Sequence, residues 1–536
     1  MPEPHHHDAP RTLAWRPLQR STRLAILLAL LVTASYQLFL LDPSHRGNTV
    51  LWAAMITAEL ITAAAAVGTW WTILAHTDRT ESADVTVWRN RLRARERPPT
   101  IDVFITAYGE PVALVAATVI AARDMELEHE TFVLDDGHSD ELRGVCEELG
   151  VHYLRREGSE HAKAGNVNAA LARTRGEMVV LLDADHVPTP TFLLQVLPHF
   201  VDPAVAFVQA PQYYDNRVNL VATGAAEAQR MFYELVCPGK NYFNAAFCVG
   251  TNVMFRRSAL AEIGGIRTGS NSEDIWTSLE LHRRGWKSVY VPEVLTRGLA
   301  PEEMEPFLRQ QLRWASGGFE VLLRGGLFRR GGLTLDQRLQ YLFTGLHYTL
   351  SIGMLIFMAL PAAYLLFGLS PINVDGWTWA RHYVPYLAMT FLVAWLQAGG
   401  IRGSAIVTSI AASWVHARAL GTVLLRRSAA WSPTNRARRS RGNLWSVLPH
   451  ACLLVLNVAA LAVGLIVPAD PATTYLSCFW AGLNVLLLGR IVWEGVRPRR
   501  SPTVPAGTPT ASFPMVGNVA LELTSPRTAH SSGVPS

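Results

Sequence analysis

The sequence predicts a mostly parallel α/β domain inserted between groups of membrane-spanning α-helices. Three observations lead there. Apolar runs long enough to cross a bilayer stand on both sides of a central region. The central region alternates short apolar strands with helical stretches. Several of those strands end in acidic or polar clusters, the place where parallel sheets bind ligands.

The composition fits a chain that is part membrane, part soluble domain. Charged residues make up 17% and apolar residues 49%, against about 25% charge in ordinary soluble domains. A net charge of +5 over this length is no footprint of nucleic-acid binding, and no nucleic-acid partner is expected. Cys146, Cys237, Cys248, Cys452 and Cys478 are odd in number and lack metal-ligand spacing. They argue against both a disulfide framework and a structural zinc site. His5, His6 and His7 read as part of an unstructured terminus.

Residues 1–23 are expected to form a cytoplasmic N-terminal segment, and residues 24–75 two transmembrane helices. The first apolar run covers 24–41; the second covers 50–75 and is interrupted only by Glu59. Arg11, Arg16, Arg20 and Arg23 resemble the basic start of a signal peptide. A second span follows closely and no cleavage site stands out, so the pair reads as an uncleaved hairpin. Residues 338–398 hold two more spans, at 341–366 and 383–398. Residues 446–497 hold another two, at 447–467 and 474–493.

Between them, residues 399–445 predict a cytoplasmic interfacial helix followed by a basic loop. The stretch 406–425 carries Trp414, His416 and Arg418, which suits the membrane surface better than its core. A seventh span there would move the C-terminus to the other side. From Arg402 to Asn443 there are eight Arg and no acid, which places this segment in the cytoplasm. Six spans then put both termini and the central domain in the cytoplasm of a multi-pass inner-membrane protein, with the lipid bilayer as a partner. Residues 498–536 are rich in Pro, Thr, Ser and Gly and read as a disordered tail.

The central domain is expected over residues 98–330. Strands are predicted at 101–106, 131–134, 151–154 and 178–182, with helices at 112–123, 140–149 and 166–173. Asp183-Ala184-Asp185 puts two carboxylates just past a buried strand. Hard oxygen donors in this pattern suit Mg²⁺ or Mn²⁺ together with substrate phosphates. His186 is placed to add a ligand or to orient one. A plain polar turn would look the same. Asp135-Asp136-Gly137 is likewise an ordinary turn sequence by itself. Lys163, beside a helix start, makes a seat for a diphosphate. Ser272-Glu273-Asp274 reads as a capped helix start with Ser272 as N-cap, or as a general base facing a cleft. In Gln310-Gln311-Leu312-Arg313-Trp314, Arg313 can grip phosphate oxygens and Trp314 offers a flat face to a sugar ring. An amphipathic interfacial helix is the simpler alternative.

Taken together and in this order, the motifs resemble the processive family-2 glycosyltransferases, most closely the bacterial cellulose synthase catalytic subunits. The similarity runs from about Thr100 through Trp314 into the following helices. Its closest stretches begin at His161 (HAKAGNVN), Asp183 (DADHVP) and Leu281 (LHRRGW).

The resemblance implies a GT-A-type glycosyltransferase domain and assigns residues one by one. Tyr108 and Glu110 would hold the base of the nucleotide, Asp135 and Asp136 would contact the nucleotide, and Lys163 would contact the bound UDP. Asp183 and Asp185 would hold a divalent cation, Mg or Mn. Asp274, with Glu273 beside it, would be the catalytic base; the family's Thr is Ser272 here. Gln310 and Arg313 would contact the diphosphate, and Trp314 would lie under the acceptor sugar. Gly250 and Thr251, after Phe247-Cys248-Val249, stand where relatives contact the acceptor. Thr434 and Arg436 resemble a gating loop that closes over the nucleotide.

The implied activity is polymerisation of a nucleotide sugar, UDP-glucose first, into a β-linked polysaccharide such as cellulose, with export across the membrane. The implied partners are the UDP-sugar donor, the growing polysaccharide and unidentified accessory export proteins. The same motifs serve synthases of chitin-, hyaluronan-, mannan- or other glucan-like chains, and non-processive transfer to a lipid. A transporter or inactive scaffold is the alternative from another class, but no internal repeat of membrane segments supports it. The resemblance does not include a C-terminal cyclic-di-GMP-binding domain, so regulation by that nucleotide through this chain is not expected.

Overall fold

The structure is a computed structural model. It describes residues 20–75, 83–94, 98–270, 272–329, 331–400, 402–426, 443–466 and 471–497, all within one compact unit, Met1–Arg497.

The central region folds around a seven-stranded sheet. Its strands are β1 (Ile101–Ala107), β2 (Glu130–Asp135), β3 (His152–Leu154), β4 (Met178–Asp183), β6 (Val205–Gln209), β7 (Val253–Arg256) and β8 (Lys287–Tyr290), in the order β3-β2-β1-β4-β7-β6-β8. The pair β5 (Val187–Pro188) and β9 (Thr296–Arg297) forms a separate two-stranded ribbon. Within the seven-stranded sheet only β7 runs antiparallel to its neighbours. The four strands predicted from apolar runs are β1 to β4, and they pair in parallel. Their registers align Ala107 with Asp135 and Thr106 with Asp183. This alignment brings the three acidic or polar strand ends to one edge.

Burial on both faces explains the unbroken apolar character of these strands. Val103, Ile105, Val133, Val180 and Leu182 pack on one side with helix Val112–Arg123, while Phe104, Leu134, Val179 and Phe255 pack on the other. Full burial of side chains this size is worth about 1.5–3 kcal/mol each.

Among the described residues, five helices are long and apolar enough to cross a membrane: Arg20–Leu41, Thr49–Leu74, Leu335–Phe367, Leu444–Ile466 and Pro471–Val496. The remaining expected span is helix Gly376–Ala398, 23 residues long and packed along Arg20–Leu41. Arg381 and His382 near its start make it less apolar than the five. The expected interfacial helix at 406–425 is two helices, Gly403–Ala411 and Ser413–Leu424. Neither approaches the roughly 20 residues a span requires. They pack instead on helix Leu220–Met231 and on helix Met304–Arg324 of the central domain. Asparagines join the long helices: Asn457 and Asn484 each donate to the Met358 carbonyl, at 3.2 and 3.1 Å, and Asn484 also donates to Asn457 at 3.0 Å. Interhelical amide bonds of this kind hold helices together where apolar contact alone gives no preference for protein over lipid.

The LHRRGW stretch has a structural task. His282 is 1% exposed and lies between the Tyr341 hydroxyl (2.8 Å) and Ser288 Oγ (3.0 Å). It therefore joins the sheet to the helix that leads into the membrane segments. Burial pushes its pKa down to about 3, so the folded protein holds the ring neutral. The unfolded chain takes up a proton near the ordinary histidine value of about 6.5. Stability is therefore complete above that value and falls as the pH drops from there towards 3. Denaturant melts at pH 7 and pH 5 check this: the loss expected for the wild type should shrink in His282→Gln.

Candidate active site

The strand ends, the start of helix Glu273–Arg283 and the middle of helix Met304–Arg324 enclose one cleft of about 180 Å³. Tyr108, Glu110, Asp136, Lys163, Asp183, Asp185, His186, Gly250, Glu273, Asp274, Gln310, Arg313 and Trp314 all line it. Residues more than 200 positions apart in sequence thus meet at the carboxyl edge of the sheet, where β1, β2 and β4 end.

Asp183 and Asp185 face the cleft with His186 beside them. A carboxylate oxygen from each and a ring nitrogen of His186 lie within 4.8 Å of one another. His186 Nδ1 is 2.9 Å from Asp185 Oδ1, and its Nε2 is buried without a hydrogen-bond partner, facing Gly298. With one nitrogen on Asp185 and the other against backbone, His186 orients the carboxylate. Burial opposes charge on its ring, but Asp185 and Asp183 outweigh this and raise its pKa. Burial also opposes charge on Asp183, yet Lys163, His186 and Arg313 together hold its pKa below the usual carboxylate value. Two hard carboxylate oxygen donors aimed into one cleft are the chemistry a small divalent cation requires.

Lys163 occupies the first turn of helix Ala162–Leu171, which begins four residues earlier than its apolar pattern suggests. Its ammonium donates to Asp183 Oδ1 and, at 2.8 Å, to the Gly250 carbonyl. Gly250 has φ +84°, a backbone state that L side chains avoid. The rest of the HAKAGNVN stretch fixes this helix. Asn166 donates to the Leu134 carbonyl at the end of β2 (3.0 Å), and Asn168 makes a reciprocal pair with the backbone of Ile266 (2.8 Å each).

The Asp-Asp-Gly turn divides its labour. Asp135 was expected to touch the nucleotide, but it is 1% exposed and does not line the cleft. Its carboxylate accepts from Gly137 N and Ser139 N (2.7 Å each) and from the Tyr153 hydroxyl (2.9 Å), which fixes the turn. Asp136 reaches the cleft edge and is clamped by Arg156 through two bonds of 2.7 Å. Arg156 also donates to the carbonyls of Glu160 and Ala162, so one guanidinium joins the turn to the helix that carries Lys163. Removing one partner of a buried pair costs about 3–5 kcal/mol. Arg156→Ala should therefore lower the melting temperature and raise the donor KM, both measurable on one preparation.

Asp274 sits in the first turn of helix Glu273–Arg283. Burial, and then the neighbouring Glu273, push its pKa up to about 7, while Arg313 and Lys163 act in the other direction. Its main-chain carbonyl accepts from Cys248 Sγ and Ser278 Oγ, at 3.1 and 3.0 Å. Ser272, expected as the side-chain cap, makes no cap bond; its hydroxyl turns to the Arg313 carbonyl, 3.4 Å away. Glu110 accepts from Tyr108 N at 2.6 Å, and burial raises its pKa. Thr251, expected beside the acceptor, is fully buried; its Oγ1 accepts from Asp183 N at 2.8 Å and so supports the acidic pair from below. Thr434 and Arg436 lie outside the described residues.

Residues 178–397 match the family model described as glycosyl transferase family group 2. Over those residues the chain is similar to the family-2 glycosyltransferases. The match begins at β4, and the same sheet continues N-terminally of it through β1 to β3. The chain is similar to the cellulose synthase catalytic subunit (UDP-forming) of Pseudomonas fluorescens (strain SBW25), 30% identical over 447 residues, which is 79% of this chain and 60% of the relative. It is also similar to the corresponding subunit of Xanthomonas axonopodis pv. citri, 37% identical over 259 residues, or 47% of this chain and 36% of the relative. The chain thus spans 60% of the first relative's length and 36% of the second's. Among solved structures, a mannosyltransferase from Pyrobaculum calidifontis in complex with GDP-Man and Mn²⁺ aligns with a TM-score of 0.48 and 19% identity, over 67% of this chain and 98% of that one.

The cleft also includes Gln212, Tyr214, Leu299 and Pro301. Tyr214 reaches it through a parallel bridge to Gly298 and closes the wall next to His186. Gln212 and Tyr214 lie in the QAPQYY stretch that follows β6, which the sequence marks by its looser resemblance to a Gln-Thr-Pro motif; Leu299 and Pro301 carry no such mark.

Proposed function

We propose that this protein is a membrane-embedded inverting glycosyltransferase that polymerises UDP-glucose into a β-linked glucan of the cellulose type and exports it. One observation carries the reading. Lys163, Asp183, Asp185, Asp274, Arg313 and Trp314 converge on a single cleft beside helices long enough to cross a membrane. The similarity to UDP-forming cellulose synthase subunits supports the choice of donor and product.

In this reading Tyr108, Glu110 and Asp136 receive the nucleoside end of the donor. Asp183 and Asp185 hold a divalent cation, Mg²⁺ or Mn²⁺, with Asp185 oriented by His186. When bound, that ion supplies positive charge against the diphosphate. Arg313 and Gln310 hold the diphosphate oxygens, and Arg313 meets the negative charge that develops on the leaving UDP. Trp314 stacks under the terminal sugar of the acceptor. Asp274 takes the proton of the attacking hydroxyl as a new C–O bond forms and the bond to UDP breaks. A single displacement turns the α-linked donor into a β-linkage. The active site faces the cytoplasm and the membrane helices of the inner membrane receive the product.

The test is release of the nucleoside diphosphate, UDP or GDP, by purified protein in nanodiscs with Mg²⁺ or Mn²⁺, over a panel of UDP- and GDP-sugars. UDP-glucose should give the highest kcat/KM. Preference for another sugar would assign the same cleft to a different β-glycan.

A further inference from the structure

The start of helix Glu273–Arg283 rests on helix Met304–Arg324 through a contact with almost no free space. Ser272 is 4% exposed, and its hydroxyl donates to the Arg313 carbonyl. Below it lies Gly317, one helical turn after Arg313. A methyl group on Gly317 would stand 1.9 Å from Ser272 Oγ and 2.1 Å from Ser272 Cβ, but 3.5 Å from its Cα. The hydroxyl can rotate away; the Cβ cannot. Any side chain at position 317 therefore has to shift the backbone at Ser272 relative to the helix that carries Arg313.

A second contact holds the same turn. Ser270 Oγ accepts from Ser272 N at 3.1 Å and donates to Glu320, three residues beyond Gly317. Asp274 Oδ1 accepts from Ile275 N at 2.8 Å, and Trp276 N donates to the Ser272 carbonyl. The carboxylate is thereby fixed to its own helix turn and moves with it.

We propose that Gly317 is a positioning residue: its missing side chain lets Ser272 nest on the Arg313 helix and so sets Asp274 against Arg313. The proposal rests on Asp274 acting as the base. It adds that the base and the cation facing the leaving group are aligned by one glycine contact, assisted by the Ser270–Glu320 bond. A misplacement of about 1 Å can cost about 10²-fold in rate.

The experiment uses the full chain in nanodiscs and compares Gly317→Ala, Ser272→Gly and the double variant. Gly317→Ala should lower kcat for UDP release about 10²-fold, with donor KM and UDP affinity within a few-fold of wild type. Ser272→Gly removes the colliding Cβ, so the double variant should recover to the level of Ser272→Gly alone. Wild-type kcat in Gly317→Ala, or a double variant as slow as Gly317→Ala, overturns the proposal. Ser270→Ala adds no bulk and provides the second test should Gly317→Ala fail to fold: kcat should fall while UDP affinity holds, and unchanged kcat overturns it. A wild-type protein that binds UDP but never releases it from a donor would instead remove the reading of Asp274 as base, and this proposal with it.

Discussion

Asp274→Asn is expected to lower kcat by about 10²–10⁴-fold, the usual contribution of a general base, with UDP binding retained. The side chain keeps its size and can still accept from Ile275 N, so the cleft keeps its shape. What disappears is the proton acceptor. The wild type should show an acid limb in kcat near pH 7, because burial and Glu273 raise the Asp274 pKa to about that value and only the ionised form can accept a proton. The stability effect has the opposite sign. A carboxyl whose folded pKa lies above its unfolded value, about 3.9, destabilises the fold as the pH rises through that interval and ionisation is forced. Asp274→Asn should therefore melt higher than wild type at pH 8 and near wild type at pH 4. Low activity together with higher stability is the signature of a residue kept for chemistry. Full activity in the variant would remove Asp274 as base.

Asp183→Asn should have an effect of similar size by another route. Asp183 is the hub of the acidic pair: it takes the Lys163 ammonium, its amide is held by Thr251, and it shares the cleft with Asp185. An amide halves the formal charge available to a cation and leaves Lys163 opposite a neutral group. UDP affinity measured with and without Mn²⁺ should lose its metal dependence, and turnover should fall by at least about 10²-fold. Thr251→Val should show a weaker form of the same loss, since Thr251 acts only through the position of Asp183. Unchanged metal dependence in Asp183→Asn would assign the cation elsewhere.

How far the sequence disclosed this site depends on the kind of residue. Asp183, Asp185, Asp274, Arg313 and Trp314 were marked by the order of their motifs and the family resemblance, since each motif alone reads as well as a turn, a helix cap or an interfacial helix; the structure brings all five to one cleft. The parallel core β1 to β4 was legible because apolar runs between helices have few other uses. Asp135 was misjudged for a physical reason. An Asp after a strand is equally suited to bind a ligand or to satisfy its own turn, and only the bonds to Gly137, Ser139 and Tyr153 reveal which one it does. Ser272 shows the same ambiguity, since a hydroxyl before a helix reads as a cap until a neighbouring helix claims it. Arg156 and Gly317 were not legible at all, and of Tyr214 only its place in a motif-like stretch was. Their tasks arise from contacts across 20 or more positions, and no local pattern records such a contact. Among the described residues, five of the six expected spans are helices long and apolar enough to cross a membrane, while the break at Ala412 that divides the ambiguous segment needed the backbone.

The central claim is that this cleft builds a β-linked glucan from UDP-glucose. The most direct measurement is to incubate the nanodisc-embedded wild type with radiolabelled UDP-glucose and Mg²⁺ or Mn²⁺, and to digest the product with linkage-specific glycanases. The predicted result is a high-molecular-mass product that a β-1,4-glucanase degrades, with none formed by Asp274→Asn. Label found only in a small lipid-linked product, or equal polymer from the variant, would contradict it.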